Sequence, residues 1–591
     1  MRKWIVIGVA AVLVLIAAGL FALTRPSVGT PVAEYFLRMA FGEDASVEEA
    51  WMRYTPRPVV EGRGLSAPPV AELETVSGRF NWLGLFPGTP LFALVDGRNG
   101  AVRIDLTGQA DSQDGEDGGG GVGEWIEAVA AETVRLDVVR RAGTAEVLLQ
   151  RGRGSLTGGS IAFAGEAGGG TIIFDGTGAI LDPQTIRGDV VIRARNPNAL
   201  AQALSIALPN LPPLQIAGDL EIGRNEWVLR NLEGKIGDSA ATGLFIVNLQ
   251  EEVPQITADL DFAPLDFDDV GVVFGLPSRN EGAAPLSPAQ RRANRAYGGN
   301  DMLLPRARVD FDRLQKVDAR IDIEASPVED APYPVDRMSL QATLEDGVLR
   351  IGVFHVDGPQ GELTVEGTVD ASGHPARSEL VGDLRAAQLE ELVPKLAAKG
   401  PLSGEFDLEL TGDDFQQAFA GANGEFSLWS TEAQVAALYI EGAGLDLGEA
   451  LMLLFDGEET TYTRADCFVT RLDIREGTAI ISPGVLETED SLLLLNGSID
   501  LATEELSIDV DTEAKDASLG ELFGSVKISG TLRAPEIEIP EGEVIGQAAL
   551  TAGLAAIAGP LGLLPFVEGG EGENAPCGRL IGRANGVLKD Q

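Results

Sequence analysis

Two cysteines and two histidines in 591 residues leave little material for metal or nucleophile chemistry. His355 sits in Ile351-GVFHVDG, which reads as a strand, and His374 in a turn before Pro375. A zinc centre or a catalytic triad built on histidine is therefore nearly excluded. Neither Cys467 nor Cys577 belongs to a CxxC pair, which argues against a redox dithiol or a zinc knuckle. Basic residues are scarce: 45 Lys and Arg stand against 90 Asp and Glu, for a formal net charge of -45. Phosphate contacts need Lys and Arg, so nucleic acid is not expected as a partner. The same balance argues against the bulk of the chain lying flat on anionic headgroups. Aromatic residues make up only 6% of the chain, too few for a series of bulky globular cores.

Motifs of enzymes are missing as well. The chain has no G-x-S-x-G elbow and no G-x-x-x-x-G-K-[ST] loop. Paired carboxylates occur at Asp268/Asp269 and Asp413/Asp414, at expected helix starts, where acidic side chains complement the macrodipole. With no aromatic cluster nearby to hold a sugar, capping is a better reading than glycoside hydrolysis. The expectation is a protein with no catalytic residues, no cofactor and no metal. The acidic, glycine-rich stretch 111–123 (DSQDGEDGGGGVG) reads as a flexible loop. A calcium site is conceivable there, but the D-x-D-x-D-G spacing is absent.

What is abundant is glycine, 73 residues, and alternation. Leu506-SIDVD, Val526-KIS and Ile537-EIP each alternate apolar and polar, the mark of a strand with one dry and one wet face. Gly497, Gly524, Gly530 and Pro535 punctuate them as turns. A longer phrase of strand, turn, strand and short acidic helix recurs. It runs from Gly243-LFIVNL through Pro254-QITADLDFAPLDFDDV, and again from Leu363-TVEGTVD through Pro375-ARSELVGDLRAAQLEELV. A looser copy runs from Gly497-SIDL to Ala517-SLGELF. Such repeats bury a face only against their neighbours. Candidate residues of the dry face are Leu244, Ile246 (or Val247, by the pleat), Leu363, Val365, Leu506, Ile508, Val510, Val526 and Ile528.

Residues 4–23 form an uncharged apolar run of 20, the length that spans a bilayer as a helix. Arg2 and Lys3 precede it, so residues 1–3 are expected in the cytoplasm and the rest exported. The rival reading is a cleaved signal peptide, whose apolar region is usually shorter. Val32–Arg53 reads as mixed and helical, prolines at 56, 58, 68 and 69 break the pattern, and strands are expected from Leu73 onward. A second uncharged stretch, Val544–Val567, is long enough to span, but Gly559, Pro560 and Pro565 favour a buried or groove-capping helix. Two cysteines in an exported chain suggest a Cys467–Cys577 disulfide, two buried thiols being the alternative.

The order of several blocks resembles AsmA-family proteins of Gram-negative envelopes. The blocks are Ser403-GEFDLELTG, Phe419-AGANGEFSLW, Gly444-LDLGEAL, Cys467-FVTRLDIREGTAIISPGVLETED, Gly497-SIDLATEELSIDVDTEA and Val526-KISGTLRAPEIEI. The likeness covers about Ile180–Leu580, and residues 28–159 depart from it. It implies a mainly β fold: one N-terminal transmembrane helix, then an elongated, curved β trough with short helices. The expected division is an anchor at 4–23, a membrane-proximal region 24–180, a β-groove domain 181–580 with a polar insertion at 282–300, and a tail 581–591. About 25 strands spaced at roughly 4.8 Å would reach on the order of 120 Å. The likeness also implies an inner-membrane, periplasmic protein that moves phospholipid toward the outer membrane. The second implied role is structural or regulatory, acting on outer-membrane proteins or their assembly.

Overall fold

The computed structural model describes residues 18–581 apart from 55–57, 86–88, 106–124, 141–142, 206–210, 224, 252, 272–285, 287, 298–310, 332–333, 360, 393–397, 437–461, 490, 515–525, 533 and 539–579. The chain divides into two units, Met1–Leu260 with Ala283–Pro288, and Asp261–Gly282 with Ala289–Gln591.

The first unit opens with helix α1 (Pro26–Phe41), followed by β1 (Ser46–Arg53), β2 (Val59–Ala67), β3 (Ala71–Phe80) and β4 (Phe92–Asp105). β5 (Ala128–Arg140), β6 (Gly143–Ser155), β7 (Gly159–Ala167), β8 (Gly170–Ala179) and β9 (Asp182–Ala194) come next. The short helix α2 (Pro197–Ala203) precedes β10 (Leu214–Ile222), β11 (Glu226–Ile236) and β12 (Ser239–Asn248). Each strand pairs with the next, all antiparallel except the parallel pair β4–β5.

The expected helix across Val32–Arg53 is half right. α1 ends at Phe41, and Ser46–Arg53 is a strand paired with β2. Pro56 and Pro58 lie between β1 and β2, and Pro68 and Pro69 between β2 and β3. They mark turns between strands rather than an interruption ahead of the sheet.

β13 (Gln255–Phe262) spans the division between the units. The second unit then holds β14 (Leu265–Asp266), helices α3 (Phe267–Gly271) and α4 (Pro288–Tyr297), β15 (Asp318–Ala325) and β16 (Val328–Glu329). β14 and β16 form a small parallel pair. The main ladder continues with β17 (Arg337–Glu345), β18 (Val348–Gly358), β19 (Gly361–Asp370) and β20 (Arg377–Gln388). After α5 (Leu389–Leu392) and β21 (Ala398–Lys399) come β22 (Pro401–Thr411), α6 (Phe415–Ala420), β23 (Asn423–Ser430) and β24 (Gln434–Ala436). β25 (Tyr462–Arg475), β26 (Thr478–Thr488), β27 (Ser491–Asp500), β28 (Glu505–Ala514), β29 (Val526–Thr531) and β30 (Ala534–Glu538) complete it.

β15, β17 to β20, β22, β23 and β25 to β30 follow one another as antiparallel neighbours, while β21, β24 and β25 form a short side ladder. Two-residue turns make the hairpins tight. Asp346-Gly347 joins β17 to β18 and Glu476-Gly477 joins β25 to β26, all four with positive φ. That is the turn whose twist matches paired strands, and glycine takes its second position without strain.

The repeated phrases correspond to β12, β13 and α3, and to β19, β20 and α5; the third copy supplies β27 and β28 before leaving the described residues. The insertion contains α4. Among the described residues no helix is long and apolar enough to cross a membrane. The apolar run 4–23 is described only from Ala18 on, and the 111–123 loop and Val544–Val567 lie outside the described residues.

Candidate functional site

In an antiparallel ladder, residues directly opposite one another project to the same face. The registers of the second unit therefore define rows that cross the sheet from strand to strand. One row runs Ile323, Leu340, Phe354, Val365, Gly382, Phe406, Phe426 and Leu472. A parallel row runs Ala325, Met338, Val356, Leu363, Leu384, Gly404, Leu428, Thr470, Gly484, Leu495 and Val510, with Val526 next in register. A third passes from Ile321 through Ala342, Ile351, Gly367, Leu380, Leu408, Gly424, Ile474, Ala479 and Ile499 to Leu506. Apart from Thr470, every member is apolar or glycine.

The opposite face is polar. Glu366, Val381, Asp407, Glu425 and Asp473 form one of its rows. Arg471 pairs there with Glu425 and with Asp473 at 3.0 Å, and Arg385 pairs with Asp383 at 2.8 Å. His355 belongs to this face, with Nδ1 3.2 Å from Thr364 Oγ1.

Glycines sit on the apolar face where large neighbours lean across the strands. A Cβ on Gly382 would stand 2.5 Å from the tip of the Phe406 ring, and one on Gly404 2.7 Å from a Leu428 methyl. Phe406 and Phe426 stack at 6.3 Å. The strand ends are closed by local clusters. Leu408, Leu410, Ala422, Ile474 and Ala479 pack with Ala418 and Phe419 of α6 at one end. Leu389, Ala398, Leu402, Ala433 and Ala465 pack at the other. Between them Leu340, Phe354, Val365, Phe406, Phe426 and Leu472 are only half-buried. Among the described residues, the result is a dry strip with closed margins and an open middle.

The first unit shows the same one-sidedness. Its longest row runs Met52, Val60, Gly78, Val95, Val129, Gly154, Ile161, Gly176, Gly188, Leu220, Leu229 and Phe245. Beside it, Asp175, Asp189 and Asp219 stand opposite one another on the other face.

The sequence-predicted lining residues can now be placed. Leu363 and Val365, and Leu506, Ile508 and Val510, lie on the apolar face of the second unit; Val526 and Ile528 stand opposite Val510 and Ile508. Leu244 and Ile246 do not join the apolar row of their unit. Ile246 stands opposite Val228, on the reverse face, and the row takes Phe245 and Val247. The choice between Ile246 and Val247 thus resolves to Val247. Cys467 is disulfide-bonded, and Cys577 is the only other cysteine in the chain. Cys467 and Val469 point to the face opposite Phe468, where Trp429, Leu580 and Ile581 pack on them. Leu580 and Ile581 are therefore held on the polar side of the sheet, away from the dry strip.

The paired carboxylates serve local structure. Asp414 caps α6, its side chain accepting from Gln417 N at 2.8 Å. Asp413 accepts from Ala376 N and lies 3.1 Å from His374 Nδ1. Asp268 and Asp269 lie in the first turn of α3. Sequence reasoning missed Asp266, which is only 8% exposed. Burial, with Asp269, Asp268 and Asp330 nearby, pushes its carboxyl up to about 6, against the hydrogen bond it accepts from Asp268 N. Among the described residues no cluster of His, Cys, Asp and Glu is arranged to hold a metal ion.

Residues 204–482 match the family model described as AsmA family. The chain is similar to the AsmA family protein YhjG of Escherichia coli (strain K12), at 23% identity over 429 residues. That alignment covers 70% of this chain and 62% of the relative, less than two thirds of its length. No solved structure matches.

Proposed function

We propose that this chain, whose residues 204–482 match the AsmA family model, binds phospholipid in the bacterial envelope and lets acyl chains move along its apolar β face. The observation that carries this reading is the set of apolar rows crossing strand after strand without a charged residue. Each CH₂ withdrawn from water contributes about 0.8 kcal/mol. A strip of uniform chemistry offers that gain at every position along its length. A chain can therefore slide without crossing a large barrier, and headgroups stay at the polar rim. The chemistry is binding rather than catalysis, and it needs no cofactor. In this reading residues 4–23 anchor the protein in the inner membrane, the bulk lies in the periplasm, and the outer membrane or its assembly proteins stand at the receiving end.

Photo-crosslinking residues at 508 and 509 of the full chain test the assignment in membranes. Ile508 stands opposite Gly497 and Ile528, while Asp509 stands opposite Asn496 and Lys527 on the polar face. Phospholipid adducts at 508 and not at 509 are expected. Adducts at 509 alone would overturn the face assignment. Absence of lipid at both positions would overturn lipid binding and favour the structural or regulatory role.

A further inference from the structure

We propose that α1 is an interfacial helix, packed on β1 with one side and lying on the surface of a lipid bilayer with the other. The bilayer is the one that residues 4–23 enter on the reading proposed above, and the inference rests on that anchoring. This inference concerns how the protein is seated and stands whether or not the sheet moves lipid.

α1 is apolar almost all the way round. Toward the sheet it turns Gly29, so closely that an added Cβ would stand 2.2 Å from Ala50 O. Ala50 N–H donates to Thr30 Oγ1 at 2.9 Å across the same contact. On the outer side Val28, Val32, Tyr35, Phe36 and Met39 follow helical spacing and form one stripe. Tyr35 is 67% exposed, Met39 59% and Phe36 47%. A helix that is hydrophobic all round belongs between two apolar surroundings, and the sheet supplies only one of them.

The sequence leading into the helix identifies the second. The uncharged run 4–23 ends two residues before Arg25-Pro26, where α1 begins. Its last turn is fastened to the same strand that carries α1. Met52 N–H donates to Leu23 O at 2.9 Å, and Tyr54 OH donates to Leu20 O at 2.6 Å. A segment that requires hydrocarbon and a helix with an apolar outer face are thus held side by side on β1. Charge fits as well. From Thr24 to Phe41 the only charged residues are Arg25, Glu34 and Arg38, a net positive segment in a protein of charge -45. A segment of that sign is not repelled by an anionic headgroup layer. Tyr35 has the amphipathic ring favoured at that depth.

The test uses full-length protein with Met39→Cys or Glu43→Cys, labelled with an environment-sensitive fluorophore under non-reducing conditions that preserve the native disulfide. Each is reconstituted into vesicles of phosphatidylethanolamine with a minor share of phosphatidylglycerol, with and without doxyl-labelled lipid. Position 39 lies on the stripe; position 43 lies just past the helix and is exposed. Blue-shifted emission at 39, quenched several-fold more strongly by doxyl lipid than at 43, is expected. Equally weak quenching at both positions overturns the proposal. So does a blue-shifted but unquenched probe at 39, which would mean that protein covers the stripe. A label at Tyr35→Cys reads the same face independently.

Discussion

Replacing Asp266 by Asn should stabilise the second unit at pH 7 and leave it unchanged near pH 4. Asp266 is buried where β14 meets α3, beside Asp268, Asp269 and Asp330. Its carboxyl is held at about 6, against an ordinary value of 3.8. An acid whose pKa rises on folding keeps its proton in the folded state after the unfolded chain has released its own. Its contribution to stability is therefore complete below about pH 4 and lost as pH rises through 6. Each pKa unit corresponds to 1.36 kcal/mol, so the shift is worth up to about 3 kcal/mol by pH 7. Asn carries no charge to desolvate, yet it keeps an oxygen for the Asp268 N–H, which donates to Asp266 Oδ1 at 2.9 Å. The gain from Asp266→Asn should grow across pH 4 to 6 and level off above. Amide exchange in peptides spanning Phe262–Gly271, measured over that range with denaturant, reads the local effect without requiring the chain to unfold in one step. An Asn variant that is equally or less stable at pH 7 would refute the reasoning.

Two further outcomes follow from the packing. Gly382→Ala should destabilise the sheet by about 1–3 kcal/mol, because its Cβ would meet both the Phe406 ring and Thr364 O within 2.6 Å; thermal unfolding of the variant, lowered relative to wild type, checks this. Reducing the disulfide opens a loop of about 110 residues, worth up to about 4.7 kcal/mol in the chain-entropy account. Limited proteolysis should then release the segment around Leu580 and Ile581 from Trp429 and Val469, while the ladder β15–β23 stays resistant.

Strand identity was legible wherever apolar and polar residues alternate cleanly. Leu506-SIDVD and Leu363-TV specify their own faces, and the registers agree with them. Leu244-Phe245-Ile246-Val247 is different: four consecutive apolar residues carry no period of two, so only pairing with β11 decides which pair joins the row. The region before Leu73 hid for another reason. Gly64 holds a positive φ in the interior of β2, as Asn99 and Thr133 do further on in β4 and β5. Such a residue reverses the alternation, so that Gly62 and Leu65 of β2 both fall in apolar rows despite their odd spacing. A reader of the sequence sees the pattern fail and infers a break, where the chain has instead bent a strand. Asp266 was invisible because its character comes first from burial, and that burial exists only once β14 has paired with β16, more than sixty residues away.

A sheet with one apolar face normally finds its second layer in a helix or another sheet. In the second unit, the described helices α5 and α6 and the β21–β24 ladder instead complete the two margins, in clusters built on Leu389 and Leu410. Phe354, Val365, Phe406, Phe426 and Leu472 remain half-buried between those margins. Glycines at 382 and 404 let Phe406 and Leu428 lie low across neighbouring strands, which smooths the strip rather than filling the space above it. The acidic reverse face lies on the other side of the sheet, as do Leu580 and Ile581. On the proposal made here, acyl chains supply the missing layer. Lipid occupancy and sheet stability are then linked by mass action: each molecule bound to the folded strip favours the folded state. A continuous margin-bounded strip serves that purpose better than a pocket, because a pocket fixes one ligand while a strip admits a succession of them.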